Sequence, residues 1–372
     1  MNKATAITTS ILFVVGSTLG AGIFALPFVV VRSGWIASLL WVLVTIAVIG
    51  YCQVAYARTL QTDGSGRRLL GLLEKEYGNT VARIGFIAII IGLMLTLVIY
   101  LVLIPQFVEL LMSGVPAKII SIVFWAFVSM PLLFRLRRLV GVEIAATVMM
   151  VATIIILALQ TGPISAALET IHQQTKSDFF MAFAPFMFAL AGWTAVEPVV
   201  DLAKRLRHKQ EIVRNIILIG VVISALLYGL FVLVVLSSGV PVTADTISGL
   251  GGWGMIQKII IAIVGIAAIA TSYLPVGLEI ENALQRDLRR SRAASVLLVI
   301  FFPLFLVLSG LTNFLKIVEL VGAVFVGIQY VCIILVARKV LVMGQWEKGM
   351  STAVLILLLV GALYQSYLSA IP

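Results

Sequence analysis

Charged residues are scarce in this sequence: only 11% of its 372 residues are Asp, Glu, Lys or Arg, against about a quarter in a soluble domain. A water-soluble enzyme and a nucleic-acid-binding module are excluded on that ground. Cysteine is almost absent, with Cys52 and Cys332 each inside a long apolar run, so no disulfide framework and no Cys/His cluster of zinc spacing can be built. The two histidines, His172 and His208, stand in polar connecting segments, where a solvated imidazole is expected rather than a metal ligand. A cleaved leader is not expected either. Lys3 is the only early charge, and the first apolar stretch passes Pro27 without a small-residue cleavage site. No buried histidine or nucleophile–base pair suggests catalysis, and no organic cofactor is expected.

What fills the chain instead is apolar: 62% of residues are hydrophobic and the mean hydropathy is +1.16. A helix crossing the hydrocarbon core needs ~20 mainly apolar residues. Polar punctuation divides the chain into eleven such stretches, at 6–31, 35–57, 84–111, 118–134, 139–160, 179–200, 212–236, 255–282, 293–309, 315–337 and 350–369. They are too long for the strands of a membrane barrel and lack their alternation. The expectation is an all-α, multi-pass cell-membrane protein, 1–372 forming one domain. With the N-terminus cytoplasmic and the C-terminus external, 21 of the 26 lysines and arginines fall on inner segments and five on outer ones. That bias follows the positive-inside rule and explains the formal charge of +10 without nucleic acid as a partner. On the inner side, RRLLGLLEKEY (Arg67–Tyr77) mixes leucines and charges at helical spacing, as an amphipathic interfacial helix does. The outer segments around 161–178 and 237–254 read as connections.

Two stretches are poor material for a continuous helix. The first reads GSTLGAGIFALP from Gly16 to Pro27. Each glycine costs ~1 kcal/mol relative to alanine in a helix, and Pro27 removes a backbone donor. A Gly16-x-x-x-Gly20 spacing also serves helix packing, so packing and a ligand-lined break both remain open on this stretch alone. The sixth reads FALAGWTAVEP from Phe188 to Pro198. Gly20 precedes Pro27 by seven residues and Gly192 precedes Pro198 by six. Spans one and six enter from opposite sides, as corresponding members of two inverted five-helix halves would. Paired interrupted helices in such halves point to a transporter's midplane site. A channel is the weaker reading, since no filter segment or acidic pore cluster appears.

The stretch from Gly16 to Trp35, GWTAVEP (Gly192–Pro198) with the basic segment after it, and ATSYLPVG (Ala270–Gly277) resemble helices one, six and eight of the aromatic and hydroxy amino acid permeases and the amino acid/auxin permeases. These families belong to the amino acid–polyamine–organocation superfamily. The resemblance implies the LeuT-type 5+5 inverted repeat, with 6–160 and 179–337 as the repeats, 350–369 as an extra helix, and helices 1 and 6 broken. It implies that the breaks hold the common part of an amino acid. The carboxylate would meet the amides of Gly20, Ala21 and Gly22 at a half-helix N-terminus. The ammonium would meet carbonyls near Ser17, Thr18, Ala189 and Leu190. The side chain would lie beside Phe188, Gly192 and Trp193, with Tyr100 as a hydroxyl partner or an ordinary core tyrosine.

By the same resemblance a sodium ion would sit among the carbonyls of Gly16, Leu19 and Ala268 and the hydroxyls of Thr271 and Ser272. Neutral oxygens suit a hard monovalent cation; the alternative is that both hydroxyls bond back to their own helix. Some members carry a lysine at that position from helix five, and 139–160 contains none. Proton coupling is the rival, with Glu197 the first candidate carrier and Glu319 and Glu143 further ones, because carboxylates at membrane depth are costly and usually functional. The aromatic permeases usually have an apolar residue where Glu197 stands, and a gate or structural ion pair is its other reading. Glu109, Glu279 and Glu281 are expected near span ends, solvated or paired. The apolar pocket favours a neutral aliphatic or aromatic amino acid, carried by cation symport; exchange and nutrient sensing remain alternatives.

Overall fold

A computed structural model of the chain describes residues 3–134, 140–160, 162–174, 178–205, 210–287 and 290–370. His208, Lys176, Arg135, Arg137, Arg138, Arg207, Lys209 and Arg289 lie outside the described residues, as does the side chain of Glu143. The described residues are helical throughout, with no strand among them. Seven helices are long and apolar enough to cross a membrane, or eight if one bent pair is a single span. Three further apolar helices, Ala117–Leu133, Ile144–Ala158 and Arg292–Leu308, fall short of a spanning length. The apolar segments follow the order and position of the stretches expected from sequence.

The elements begin with α1 (Lys3–Thr18), a 3-10 turn (Ala21–Ala25), α2 (Leu26–Ser33), α3 (Trp35–Asp63), α4 (Leu69–Glu109), α5 (Ala117–Leu133), α6 (Val140–Ala158) and α7 (Ile164–Gln174). After a 3-10 turn at Phe179–Ala182 come α8 (Phe183–Ala189), another 3-10 turn (Trp193–Ala195), α9 (Val196–Arg205) and α10 (Gln210–Ser237). The last are α11 (Met255–Asp287), α12 (Arg292–Leu308), α13 (Phe314–Leu320), a π-helical turn (Val321–Val326), α14 (Gly327–Val340) and α15 (Gln345–Ala370). The 41 residues of α4 would reach about 60 Å at 1.5 Å per residue. They do not form one rod: Gly78, at φ 80° and ψ 175°, separates the amphipathic segment from the span proper. The segment read as interfacial therefore ends one residue after Tyr77.

Two segments read as connections contain helices. In α7, Ala167 and Ile171 are buried against α10 and α2, so an apolar stripe too short to cross folds onto the bundle. Ile247–Gly252 forms a 3-10 turn in which Gly249 approaches the Pro241 carbonyl too closely for a side chain.

The core is a sheath around α1, α2, α8 and α9. α10 packs along α1 and α3, while α4 packs along α11 and α14. The charged segments meet at one end, hereafter the basic end. There Arg58 pairs with Glu347 at 2.7 Å, Arg68 with Glu197 at 2.7 Å, and the Lys204 ammonium donates to the Leu60 carbonyl at 2.9 Å. At the other end Phe24 lies fully buried between Phe107 and Phe231, ring centroids 5.1 and 5.6 Å away, both edge to face.

Candidate site at the paired helix breaks

The first break follows from its glycines. Leu19 still donates to Val15 at 2.8 Å, but Gly20 is extended (φ −134°, ψ −161°) and the chain resumes as a tight 3-10 turn from Ala21. Pro27 sits in the first turn of α2, where no amide donor is required. The two sides of the break are bent by 48°. In the sixth stretch α8 stops at Ala189. Leu190 donates back to Phe186 at 3.0 Å, Gly192 departs from helix (φ −117°, ψ 28°), and the chain re-forms through Trp193–Ala195 into α9.

The breaks touch each other. A Cβ added at Gly22 would come within 2.7 Å of the Ala189 Cα, which is backbone against backbone. A Cβ on Gly192 would overlap the Thr18 hydroxyl. Ser17 and Thr194 hydroxyls lie 3.3 Å apart across the gap. The Tyr228 hydroxyl of α10 reaches both helices, donating toward the Thr18 carbonyl at 2.5 Å and the Ala189 carbonyl at 2.8 Å.

A cavity of about 230 Å³ opens at this junction. Its wall includes Ser17, Thr18, Gly20, Ala21 and Gly22 from the first break and Phe188, Ala189 and Trp193 from the sixth. Tyr100 is also in the wall, its hydroxyl 3.6 Å from where a Gly20 side chain would begin. Leu190 is fully buried elsewhere, and neither it nor Gly192 is part of the wall. The carbonyls of Thr18 and Ala189, expected to meet an ammonium directly, already face Tyr228. Phe13, Pro198, Pro275 and Glu279 extend the wall toward the basic end, while Ile23 to Leu26 on the opposite side are sealed.

The residues expected around a cation are split. Gly16 and Ser272 share the cavity wall; Leu19, Ala268 and Thr271 do not contribute to it. The Thr271 hydroxyl donates to its own helix, 3.0 Å from the carbonyls of Ala267 and Ala268. Thr147 of α6 stands against Gly16, its hydroxyl where a Gly16 side chain would go.

The carboxylates also separate. Glu197 is 7% exposed, and both its oxygens are engaged: Tyr56 donates to Oε1 at 2.6 Å and Arg68 pairs with Oε2 at 2.7 Å. Tyr56 in turn accepts from the Leu69 amide at 3.0 Å. This geometry is that of an ion pair tying α9 to the α3–α4 connection. Glu281 pairs with Arg292 at 3.2 Å. Glu319 accepts from Gln365 at 3.3 Å and lies away from the cavity wall. Glu279, expected at a span end, instead lines both the central cavity and a second one of about 230 Å³ at the basic end. Trp193 is the other residue common to both walls.

Several polar contributors were not anticipated. Trp193 donates through Nε1 to Gln329 Oε1 at 2.7 Å, and Gln53 donates to the Tyr330 hydroxyl at 3.3 Å behind the sixth break. Gln329 and Tyr330 lie in the first turn of α14, just beyond the π-helical turn, a local widening common at functional sites. Single polar residues inside apolar spans were the available signal for Gln53, Tyr228 and Gln329.

Residues 3–326 match the family model described as transmembrane amino acid transporter protein. No curated protein sequence matches the chain significantly. Among solved structures, MhsT in complex with L-phenylalanine aligns over 97% of this chain and 98% of its own at 16% identity and a TM-score of 0.66. A manganese transporter from Eremococcus coleocola, in complex with an aromatic bis-isothiourea compound, aligns over 99% and 88% at 10% identity and a TM-score of 0.67. At these identities the likeness concerns the fold, which is LeuT-type.

Proposed function

The chain belongs to the transmembrane amino acid transporter family, and on that premise we propose that it is a secondary active symporter of a neutral L-amino acid, sodium-coupled, working by alternating access. The observation that carries this reading is the backbone contact of Gly22 with Ala189 at the head of a polar-lipped cavity. Two interrupted helices meeting there offer unpaired backbone groups that only ligand, water or protein can satisfy at membrane depth. The cavity is large enough for a small amphiphile and is walled mainly by small and aromatic residues, which supports an aliphatic or aromatic substrate. The L-phenylalanine held by the MhsT structure agrees with that class.

In this reading 6–160 and 179–337 are the inverted repeats and 350–369 an added helix. The basic end is cytoplasmic and the C-terminus external. The cavity then faces inward, with Phe24, Phe107 and Phe231 closing the outer path and Arg68–Glu197 latching the inner one. Sodium would lean on Gly16 and Ser272, which share the wall, with the carbonyls of Leu19 and Ala268 behind them. Proton coupling is the second reading, favoured by Glu279 in the wall of both cavities rather than by Glu197, whose oxygens are both occupied.

The test is uptake of a radiolabelled L-amino acid panel into proteoliposomes, under an inward sodium gradient and separately under a proton gradient without sodium. Sodium-driven accumulation is expected. Proton-driven accumulation would transfer the coupling role to Glu279. Saturable binding without accumulation under either gradient would replace symport by exchange or sensing.

A further inference from the structure

We propose that Tyr228 is a positioning residue that sets how strongly the two breaks hold the substrate's ammonium group, an inference that rests on the transport reading above. Tyr228 is 2% exposed, and its hydroxyl is bonded to both breaks, at Thr18 and Ala189. A phenol carries one proton, yet two carbonyls face it. At any moment the hydroxyl can serve only one of them, and both residues stand in the cavity wall.

A further donor to a buried carbonyl is favourable, since desolvated acceptors gain most from being satisfied. An ammonium has three N–H donors, so the substrate donates to the carbonyl that Tyr228 is not serving while Tyr228 keeps the other. Tyr228 thus leaves the substrate one carbonyl and withholds the second. Removing the hydroxyl turns both carbonyls toward the ammonium, and the amino acid binds more tightly and leaves more slowly. Retention of that kind lowers turnover together with KM, a split that simple misfolding does not produce.

The experiment is uptake of L-leucine and L-phenylalanine by the reconstituted full-length protein and its Tyr228→Phe variant. Competition by the matching α-hydroxy acids, leucate and phenyllactate, which lack the ammonium, is measured beside it. Tyr228→Phe should lower KM about fivefold to tenfold and the maximal rate by a similar factor, the size of one completed hydrogen bond. Inhibition by the hydroxy acids should stay within about twofold. A reduced rate at unchanged KM, or an equal shift for the hydroxy acids, would each overturn the role of Tyr228 while leaving transport intact. Wild-type protein that neither binds nor moves any of the twenty L-amino acids would instead overturn the transport reading, and this role with it.

Discussion

The two breaks are made of the same parts and are held in different ways. At the first, Gly20 is extended and the following turn is wholly buried, with Phe24 wedged edge-on between two rings. Its contact with the opposite helix is backbone on backbone at Gly22. At the second, side chains do the holding: Trp193 to Gln329, Ser17 beside Thr194, and Glu197 to Tyr56 and Arg68. Close packing has no intermediate settings, because interiors are as dense as organic crystals. Hydrogen bonds and ion pairs can be exchanged for water one at a time. The first break is accordingly the fixed jaw of the site, and the second is the one equipped to let go.

The largest effect should come from breaking the fixed jaw. Gly22→Ala places a methyl against the Ala189 backbone, where no rotamer can relieve the overlap. Overpacking of this kind costs about 1–3 kcal/mol or more, concentrated here on the site, and proteoliposome uptake should be all but abolished while protein yield and helicity by circular dichroism survive. Gly192→Ala presses on the Thr18 hydroxyl instead, which can rotate off the Val14 carbonyl it now donates to at 2.8 Å. Losing that bond costs about 1 kcal/mol, so uptake should fall several-fold rather than vanish. Equal losses in the two variants would erase the distinction between the jaws.

Next in size is the latch. Glu197→Gln removes the charge that Arg68 faces, but Arg68 is half exposed, so water takes over much of its solvation and the cost is about 1 kcal/mol. The second break should then open more often toward the basic end. A Thr194→Cys reporter should react faster with a small maleimide in the Glu197→Gln background, by about fivefold, against a low background because Cys52 and Cys332 are buried. Unchanged labelling would make the pair a structural tie only.

Trp193 sharpens the comparison from within the cavity. Trp193→Phe keeps an aromatic wall but leaves Gln329 Oε1 without its donor, a loss of about 1–3 kcal/mol if the amide stays buried. Gln329 should turn and the competition profile among neutral amino acids should change by several-fold. An identical profile would remove Trp193 from substrate selection.

How much of this was legible in the residues follows from the same physics. Long apolar runs announce their helices because bilayer thickness fixes their length, and glycine with a following proline announces a break because both are costly in a helix interior. That is why the interruptions at Gly20 and Gly192 fall in the stretches expected to break, whereas the kink at Gly78, with no proline near it, carried no such mark. Partnerships between helices carry no such local mark. Tyr228 lies in a run of leucines and valines, and nothing beside it tells that its hydroxyl serves two carbonyls more than thirty residues away. Glu279 is near enough to the end of its span to pass for a solvated carboxylate, and its place in the wall comes from the packing of α11 in the bundle. The helix in 164–174 was missed because eleven residues are too few to cross a membrane, although its apolar stripe was present.

The finest distinction concerns the ion, and it asks which jaw the ion leans on. Gly16 belongs to the fixed jaw, and its carbonyl precedes an extended Gly20 that returns no helical hydrogen bond among the described residues. Opposite it, Ser272 and Thr271 are adjacent in sequence but differ in position: Ser272 faces the cavity, while Thr271 is satisfied by its own helix. A hydroxyl already donating keeps lone pairs for a cation, yet it can only offer them where it points. Ser272→Ala should therefore raise the sodium concentration for half-maximal uptake about threefold to tenfold, the loss of one oxygen ligand of hydrogen-bond strength. Thr271→Ala should move it by less than about twofold, within the range of substitutions that touch no specific partner. The reverse order would put the ion deeper between α1 and α11 than the cavity reaches, and would make the Thr271 back-bond a feature of the empty site alone.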